Sequence, residues 1–529
     1  MTTSVGRANS AAPVFGGQQL MALVNNVRQR IHVVERKVDG LRGVLAEDAD
    51  VSRADFTVLG TLPEMFPEWL GDRTFAETHD VRFPYIAGEM AFGISSARLV
   101  VAMAQARMLS FFGAGGVETG TLDRALSELT STLGDRRNWG VNLIHAPGED
   151  RIADLLLARR VPAISLSAFT DVTPAVARCA AVGLRQDRTG AIVRPIAVFA
   201  KVSRPDVAER FMSPTPVALL RALVAQGLLT EEEARLAARV PVAQDITIEA
   251  DSAGHTDNQS LVAVLPAVLA ARNTLQHTNT DWSTSIRIGA AGGLGDPAAV
   301  AAAFAMGAAY VLTGSVNQMS VEAGVSERAK AMLAAADISD VAMAPSPGQF
   351  EKGIRTQVLR RGTLFAARAA QLYRVYAAHD SIASIPVGER ARLEREVFGA
   401  TLDEVWRDTE THWQQRDPAT AERALSDPKL RMELVFRWYM SQSVRWAVSG
   451  APERIADYQL WCGPATGSFN RWTAGTFLAD PAQRGVVQIA LNLMEGAAVL
   501  TRAHQFRSFG IALPDNACAY VPRRLRPPR

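Results

Sequence analysis

The chain has 529 residues, 48% of them apolar, and a formal net charge of +2. That is enough apolar material for one large α/β unit with attachments, or for two to three domains. The near-neutral balance excludes the basic field of a nucleic-acid binder. Three scattered cysteines (Cys179, Cys462, Cys518) offer neither a disulfide framework nor metal-ligand spacing. Residues 1–17 lack an apolar signal core, and the alanine-rich run 298–312 is interrupted by glycine and too short for a bilayer. A soluble, cytoplasmic protein is expected, with no metal and no membrane partner.

Residues 1–80 read as an N-terminal cap, with one helix over 18–44 and an ordered loop over 61–69. From Val81 onward, short apolar runs alternate with helical stretches. Strands are expected at 81–86, 108–112, 139–143, 161–166, within 192–201, at 245–249, 286–288 and 310–312. The seventh is followed by the turn Ala290-Ala291-Gly292-Gly293-Leu294-Gly295, and the eighth by Thr313-Gly314-Ser315. Asp296 is placed to cap the next helix, with Pro297 at its first position, where a missing N–H costs nothing. Eight strand–helix units predict an α/β (β/α)₈ TIM barrel over 81–325. A doubly wound open sheet would carry its glycine turn after the first strand. The segment there, Ala87-Gly88-Glu89-Met90, is no dinucleotide fingerprint. Glycine turns after strands seven and eight are the usual phosphate site of a barrel.

Beyond the barrel the pattern becomes helical. Residues 326–450 read as a helical substrate or lid region, including one helix over 354–376. Residues 451–529 read as a loop-like segment (457–469), a long helix over 483–506, and a basic, proline-rich tail (522–529) expected to be disordered. The arginines Arg355, Arg360, Arg361 and Arg368 suit either attraction of an acidic partner or ordinary solvated helix faces.

Catalytic groups of a barrel sit at the C-terminal ends of its strands. Asn142 ends the third, suited to polar ligand atoms or to capping its own turn. Lys201 ends the fifth, as a pocket cation or as a surface lysine. His255 follows the sixth strand, with Asp251 and Gly254 before it. It is a natural proton donor near neutrality or a structural loop histidine. Cys462 reads as a small buried residue rather than a nucleophile, with no histidine near it in sequence.

The segments ADSAGHTDN, GAAGGLG, LTGS and WGVNLIH resemble the FMN-dependent nitronate monooxygenase-like barrels. The longer runs FPEWLGDR (66–73), VRFPYIAGEMAFGI (81–94), VFAKVSRPDVAERF (198–211), TGSVNQMSVEAG (313–324), VFRWY (435–439) and DYQLWCGPATGSFNRW (457–472) are similar to the PfaD-type trans-acting enoyl reductases of polyunsaturated fatty acid and polyketide synthases. That resemblance covers nearly the whole chain.

It implies FMN, with its phosphate at Gly292, Gly293, Gly314 and Ser315, and with Gly88, Met90, Asn142, Lys201, Asp251, Gly254 and Thr313 as further cofactor-binding residues. It implies His255 as proton donor and Lys201 as the cation beside reduced flavin. NADPH as hydride donor, a 2-enoyl thioester substrate and an acyl carrier protein partner follow from the same resemblance; a homo-oligomer is left open. Ala253 departs from the glycine expected there. The alternatives are a nitronate monooxygenase-type flavin oxidase, a flavin-free phosphate-ligand barrel and a non-catalytic adaptor.

Overall fold

The computed structural model describes residues 12–46, 55–254, 257–279 and 285–527. Eight parallel strands close into a barrel in chain order: Tyr85–Ala87, Leu109–Phe112, Gly140–Ile144, Ala163–Ser167, Ala197–Val202, Asp245–Glu249, Arg287–Ala291 and Val311–Thr313. All eight lie where the alternation of apolar runs predicts them. The barrel closes through Thr313 against Ala87, and Lys201 stands beside Thr247 on the neighbouring strand.

Side chains alternate along each strand, and the inward set fills the barrel. Phe111, Phe199 and Tyr310 meet there, with Phe75 entering from the helix Arg73–His79 and stacking on Tyr310 at 4.5 Å. The same helix closes the N-terminal end. Asp245 and Arg287 open strands six and seven, and His79 Nε2 lies 3.1 Å from Asp245 while Arg287 donates to both its carboxylate oxygens at 2.6 and 2.8 Å. Burial alone would raise the Asp245 carboxyl, but Arg287 and His79 outweigh it and hold the group below the usual carboxylate range. Charge at this end of a barrel serves stability, since chemistry belongs to the other end.

The N-terminal segment departs from the predicted helix over 18–44. A helix spans only Gly17–Asn25, and a three-stranded antiparallel sheet follows: Ile31–Arg36, Arg42–Ala46 and Phe56–Leu62. The β-branched pair Val33-Val34 and the turn at Asp39-Gly40, where Gly40 has φ +69°, make a hairpin that overrides the helical spacing. This segment is tied to the far end of the chain. Arg28 reaches Glu495 at 2.6 Å, and Arg502 donates to the Pro63 carbonyl at 2.5 Å, both partners lying on the long helix Val486–Ser508. That helix packs on the barrel helix Pro297–Ala305, where Gly496 lets Pro297 approach closely.

Residues 354–376 are not one helix. Arg355–Leu359 is a strand paired antiparallel with Val341–Pro345, and the helix begins at Phe365. Gly362, at φ +75°, breaks the run between them. Arg368 is not an exposed attractant: it pairs with the buried Asp457, which also accepts from Tyr439 at 2.8 Å. The segment 457–469 is not all loop, because Pro464 opens a helix over Pro464–Thr473 and proline is well suited to that first position. The tail is docked through Leu525. Arg523 N–H donates to Asn492 at 2.8 Å, and Gln488 both donates to and accepts from Leu525. Between 344 and 440 the added helices bury a core of their own, around Phe350, Phe398, Phe436 and Tyr439. Among the described residues, no helix is long and apolar enough to cross a membrane.

Candidate active site

A cavity of about 1200 Å³ lies over the C-terminal ends of the barrel strands. Its floor is made by the loops that follow the strands. Part of its wall comes from the added helices Leu402–Arg416 and Pro428–Ser449. The barrel alternation decides which strand residues reach the floor. On strand five, Phe199 points into the barrel core, so Lys201, two residues on, points the same way one layer higher. On strand six, Asp245, Thr247 and Glu249 occupy successive layers from base to mouth. Asp245 binds Arg287, Thr247 meets the Tyr310 hydroxyl at 2.8 Å, and Glu249 meets Lys201.

Lys201 Nζ lies 3.1 Å from Glu249 and 3.2 Å from Glu89. Burial pushes its ammonium toward neutrality, but the two carboxylates outweigh it and hold the lysine charged well above its ordinary value. Glu249 shifts the other way. Its burial raises the carboxyl, Glu89 adds to that, and Lys201 only partly offsets them. Glu89 Oε1 also accepts from the Ser165 and Ser167 hydroxyls at 3.0 Å, whereas its Oε2 is buried with no hydrogen-bond partner. Neither glutamate stood out in the sequence as a site residue. The signal was present for Glu249: it ends strand six as Lys201 ends strand five.

Of the predicted residues, Met90, Lys201, Asp251, Gly254, Gly292, Gly293, Thr313, Gly314 and Ser315 line this one cavity. Gly88 and Asn142 do not. Gly88 packs so closely on strand eight that a Cβ there would meet Leu312 Cδ2 at 2.5 Å. Asn142 is buried beneath the floor, donating to the Ser165 carbonyl at 3.1 Å and to Ser167 Oγ at 2.9 Å. It thereby orders the serine that binds Glu89. The Thr313 hydroxyl is engaged below by Tyr85 and Asn317.

The turns after strands seven and eight present backbone to the cavity. Gly292 has φ +90°, and a Cβ there would overlap the Ala250 carbonyl oxygen at 1.4 Å, so glycine is required. At Gly293 and Gly314 a Cβ would meet nothing within 4 Å. Among the described residues, the N–H groups of Gly293, Gly314 and Ser315 donate no hydrogen bond within the protein. Unpaired N–H groups on turns that line one cavity suit an oxyanion.

His255 lies outside the described residues. The loop leading to it is held from the added hairpin: Thr356 Oγ1 donates to the Gly254 carbonyl at 2.8 Å, and Gln357 Nε2 donates to Asp251 and to Asn258. Ala253 is not among the residues with positive φ, so its methyl group fits without backbone strain. Cys462 is buried, and burial pushes its thiol up to about 12, far from a thiolate nucleophile. Among the described residues, no group of three or more His, Cys, Asp or Glu side chains is placed to hold a metal ion.

Residues 379–458 match the family model described as the inserted helical domain of acyl-carrier-protein S-malonyltransferase. The chain is 40% identical over 501 residues to a polyunsaturated fatty acid synthase component of Thraustochytrium, covering 92% of this chain and 33% of that protein. It is 38% identical over 437 residues to polyketide biosynthesis protein PksE of Bacillus subtilis, covering 82% of this chain and 56% of that one. The chain thus spans from a third to a little over half the length of these relatives. Among solved structures, the enoyl reductase domain of MlnA, from the macrolactin biosynthesis cluster of Bacillus amyloliquefaciens, superposes with a TM-score of 0.79 at 35% identity. The match takes in 83% of this chain and 99% of that domain. Sharing sequence and fold with essentially the whole of that domain, the chain belongs to the family of the MlnA enoyl reductase domain.

Proposed function

We propose that the chain is an FMN-dependent enoyl reductase that uses NADPH to reduce 2-enoyl thioesters carried on an acyl carrier protein of a polyketide or polyunsaturated fatty acid synthase. One observation carries the reading. A single cavity contains both a cradle of unpaired N–H groups and a cation held between two carboxylates. Membership of the enoyl reductase family and the synthase relatives support it.

The residues fit a flavin mononucleotide. Gly293, Gly314 and Ser315 would hold its phosphate through their N–H groups, with Gly292 permitting the turn. When bound, the flavin supplies the hydride relay from NADPH to the β-carbon of the enoyl thioester. The chain's own residues do the rest. Lys201 brings a fixed positive charge to the floor, so that developing negative charge is met without solvent rearrangement. Asn142, Ser165 and Ser167 orient Glu89, and Glu89 with Glu249 fixes the Lys201 ammonium. His255 is assigned as the donor of the proton that completes reduction at the α-carbon. Gln357 and Thr356 steady the loop that leads to it.

The test is the visible spectrum of the purified protein, then anaerobic NADPH oxidation coupled to reduction of a crotonyl-carrier thioester. A flavin spectrum with stoichiometric enoyl reduction is expected. Rapid oxygen consumption with alkyl nitronate and no enoyl reduction would mean a nitronate oxidase. A colourless protein unable to bind FMN would remove the cofactor from the account.

A further inference from the structure

The wall of the cavity contributed by the added helices carries a second charged constellation. On the helix Pro428–Ser449, the cavity-lining residues Leu434, Arg437, Trp438, Ser441, Gln442 and Arg445 follow the i, i+3, i+4, i+7 spacing of one face. On the helix Leu402–Arg416, His412 and Arg416 line the same cavity from its last turn. Arg437 is already matched: it pairs with Glu433 at 2.8 Å and stands over the Trp413 ring at 5.7 Å. Arg416 and Arg445 make no ion pair or hydrogen bond among the described residues. Two acids of the added region, Asp408 and Glu351, line the cavity too, and among the described residues neither makes an ion pair with them.

Like charges gathered without counter-charges are unfavourable in the free protein. Partial desolvation, and then Arg437 and Arg445, pull the Arg416 guanidinium below the usual arginine range. Desolvation, Arg416 and Arg445 do the same to His412, against a weaker opposing pull from Glu118. Two unpaired guanidinium forks and an imidazole on one cavity wall match a phosphate group, which accepts several charge-assisted hydrogen bonds at once.

We propose that Arg416, Arg445 and His412 form a phosphate-recognition site on the helical wall, separate from the glycine turns of the barrel floor. The phosphate belongs to a ligand that enters the cavity over that wall. If the enoyl-reductase reading holds, on which this choice of ligands rests, two sources carry such a group: the phosphopantetheine arm of a carrier protein and the 2′-phosphate of NADPH.

Binding measurements on the full chain separate them without requiring turnover. Isothermal titration compares 4′-phosphopantetheine with pantetheine, and 2′,5′-ADP with 5′-AMP. The wild type is expected to bind the phosphorylated member of one pair about tenfold tighter or more. The R416Q/R445Q variant is expected to lose that difference, and R416K/R445K to keep part of it. Discrimination in the first pair assigns the site to the carrier arm, and in the second to the nucleotide. No discrimination in either pair, or discrimination undiminished in R416Q/R445Q, overturns the proposal. Both arginines lie on the exposed side of their helices, and matching circular dichroism melts establish that the variant is folded. The spectrum and crotonyl reduction of the same preparation report separately on the enoyl-reductase reading.

Discussion

Lys201 and Glu249 end adjacent barrel strands with their charged atoms 3.1 Å apart, and Glu89 completes the group from strand one's loop at 3.2 Å. Two carboxylates thus share one buried ammonium. That arrangement explains the opposed shifts: the lysine is held charged, while Glu249 retains its proton to higher pH than an ordinary glutamate.

Replacing Lys201 with methionine removes the cation and leaves the two glutamates facing each other. Breaking a buried pair this way costs about 3–5 kcal/mol when neither charge can be relieved. Here protonation of Glu249 absorbs part of that, so the protein should fold. Flavin reduction by NADPH is expected to slow by about tenfold to a hundredfold, or FMN to be lost on gel filtration. Stopped-flow absorbance reads both, and normal behaviour in each would remove Lys201 from the site.

Glu249 also sets a pH dependence. A carboxyl whose pKa is raised by folding contributes stability below its unfolded value, here 4.5, and that contribution is lost as pH rises through the folded value. The E249Q protein has no such proton to lose. Its melting temperature relative to wild type should therefore rise as pH increases from about 4.5 toward neutrality. A difference that is flat across this window would contradict the raised carboxyl.

The two glycine turns make separable predictions. G292A places a Cβ against the Ala250 carbonyl in a backbone conformation that alanine resists, and should cost about 3 kcal/mol or more in stability. G314A meets no protein atom and should melt like wild type, while weakening FMN binding by about tenfold as the methyl group intrudes on the phosphate. Unchanged FMN affinity in a folded G314A protein would place the phosphate elsewhere.

Arg368 bears on the proposed attraction of a carrier domain. Its partner Asp457 is only 4% exposed and is shared with Arg454 and Tyr439. R368M should lower the denaturation free energy by about 2–3 kcal/mol, since Arg454 remains as a second cation. The KM for carrier-bound substrate should not change in the folded protein. A raised KM with unaltered stability would restore the reading of Arg368 as a docking charge.

The barrel was legible because its strands are short apolar runs separated by helices, and that alternation is local. Gly292 was legible for the same reason: a turn that demands glycine is written in adjacent residues. Local pattern failed where a longer-range pairing prevailed, as in the Ile31–Arg36 hairpin and the Arg355–Leu359 strand. Both carry residues that also suit a helix, and only their partner strands decide between the two.

The sequence by itself determined the eight-stranded order, the two glycine turns and the lysine at the mouth of strand five. Tertiary structure alone decided what that lysine faces. Glu89 and Glu249 are 112 and 48 residues from it, and no local spacing brings them together. It likewise decided that Asn142 works beneath the floor rather than on it, and that Arg416 and Arg445 share a wall. Electrostatic partnership depends on distance in space and on the water excluded around it, and both exist only once the barrel has closed.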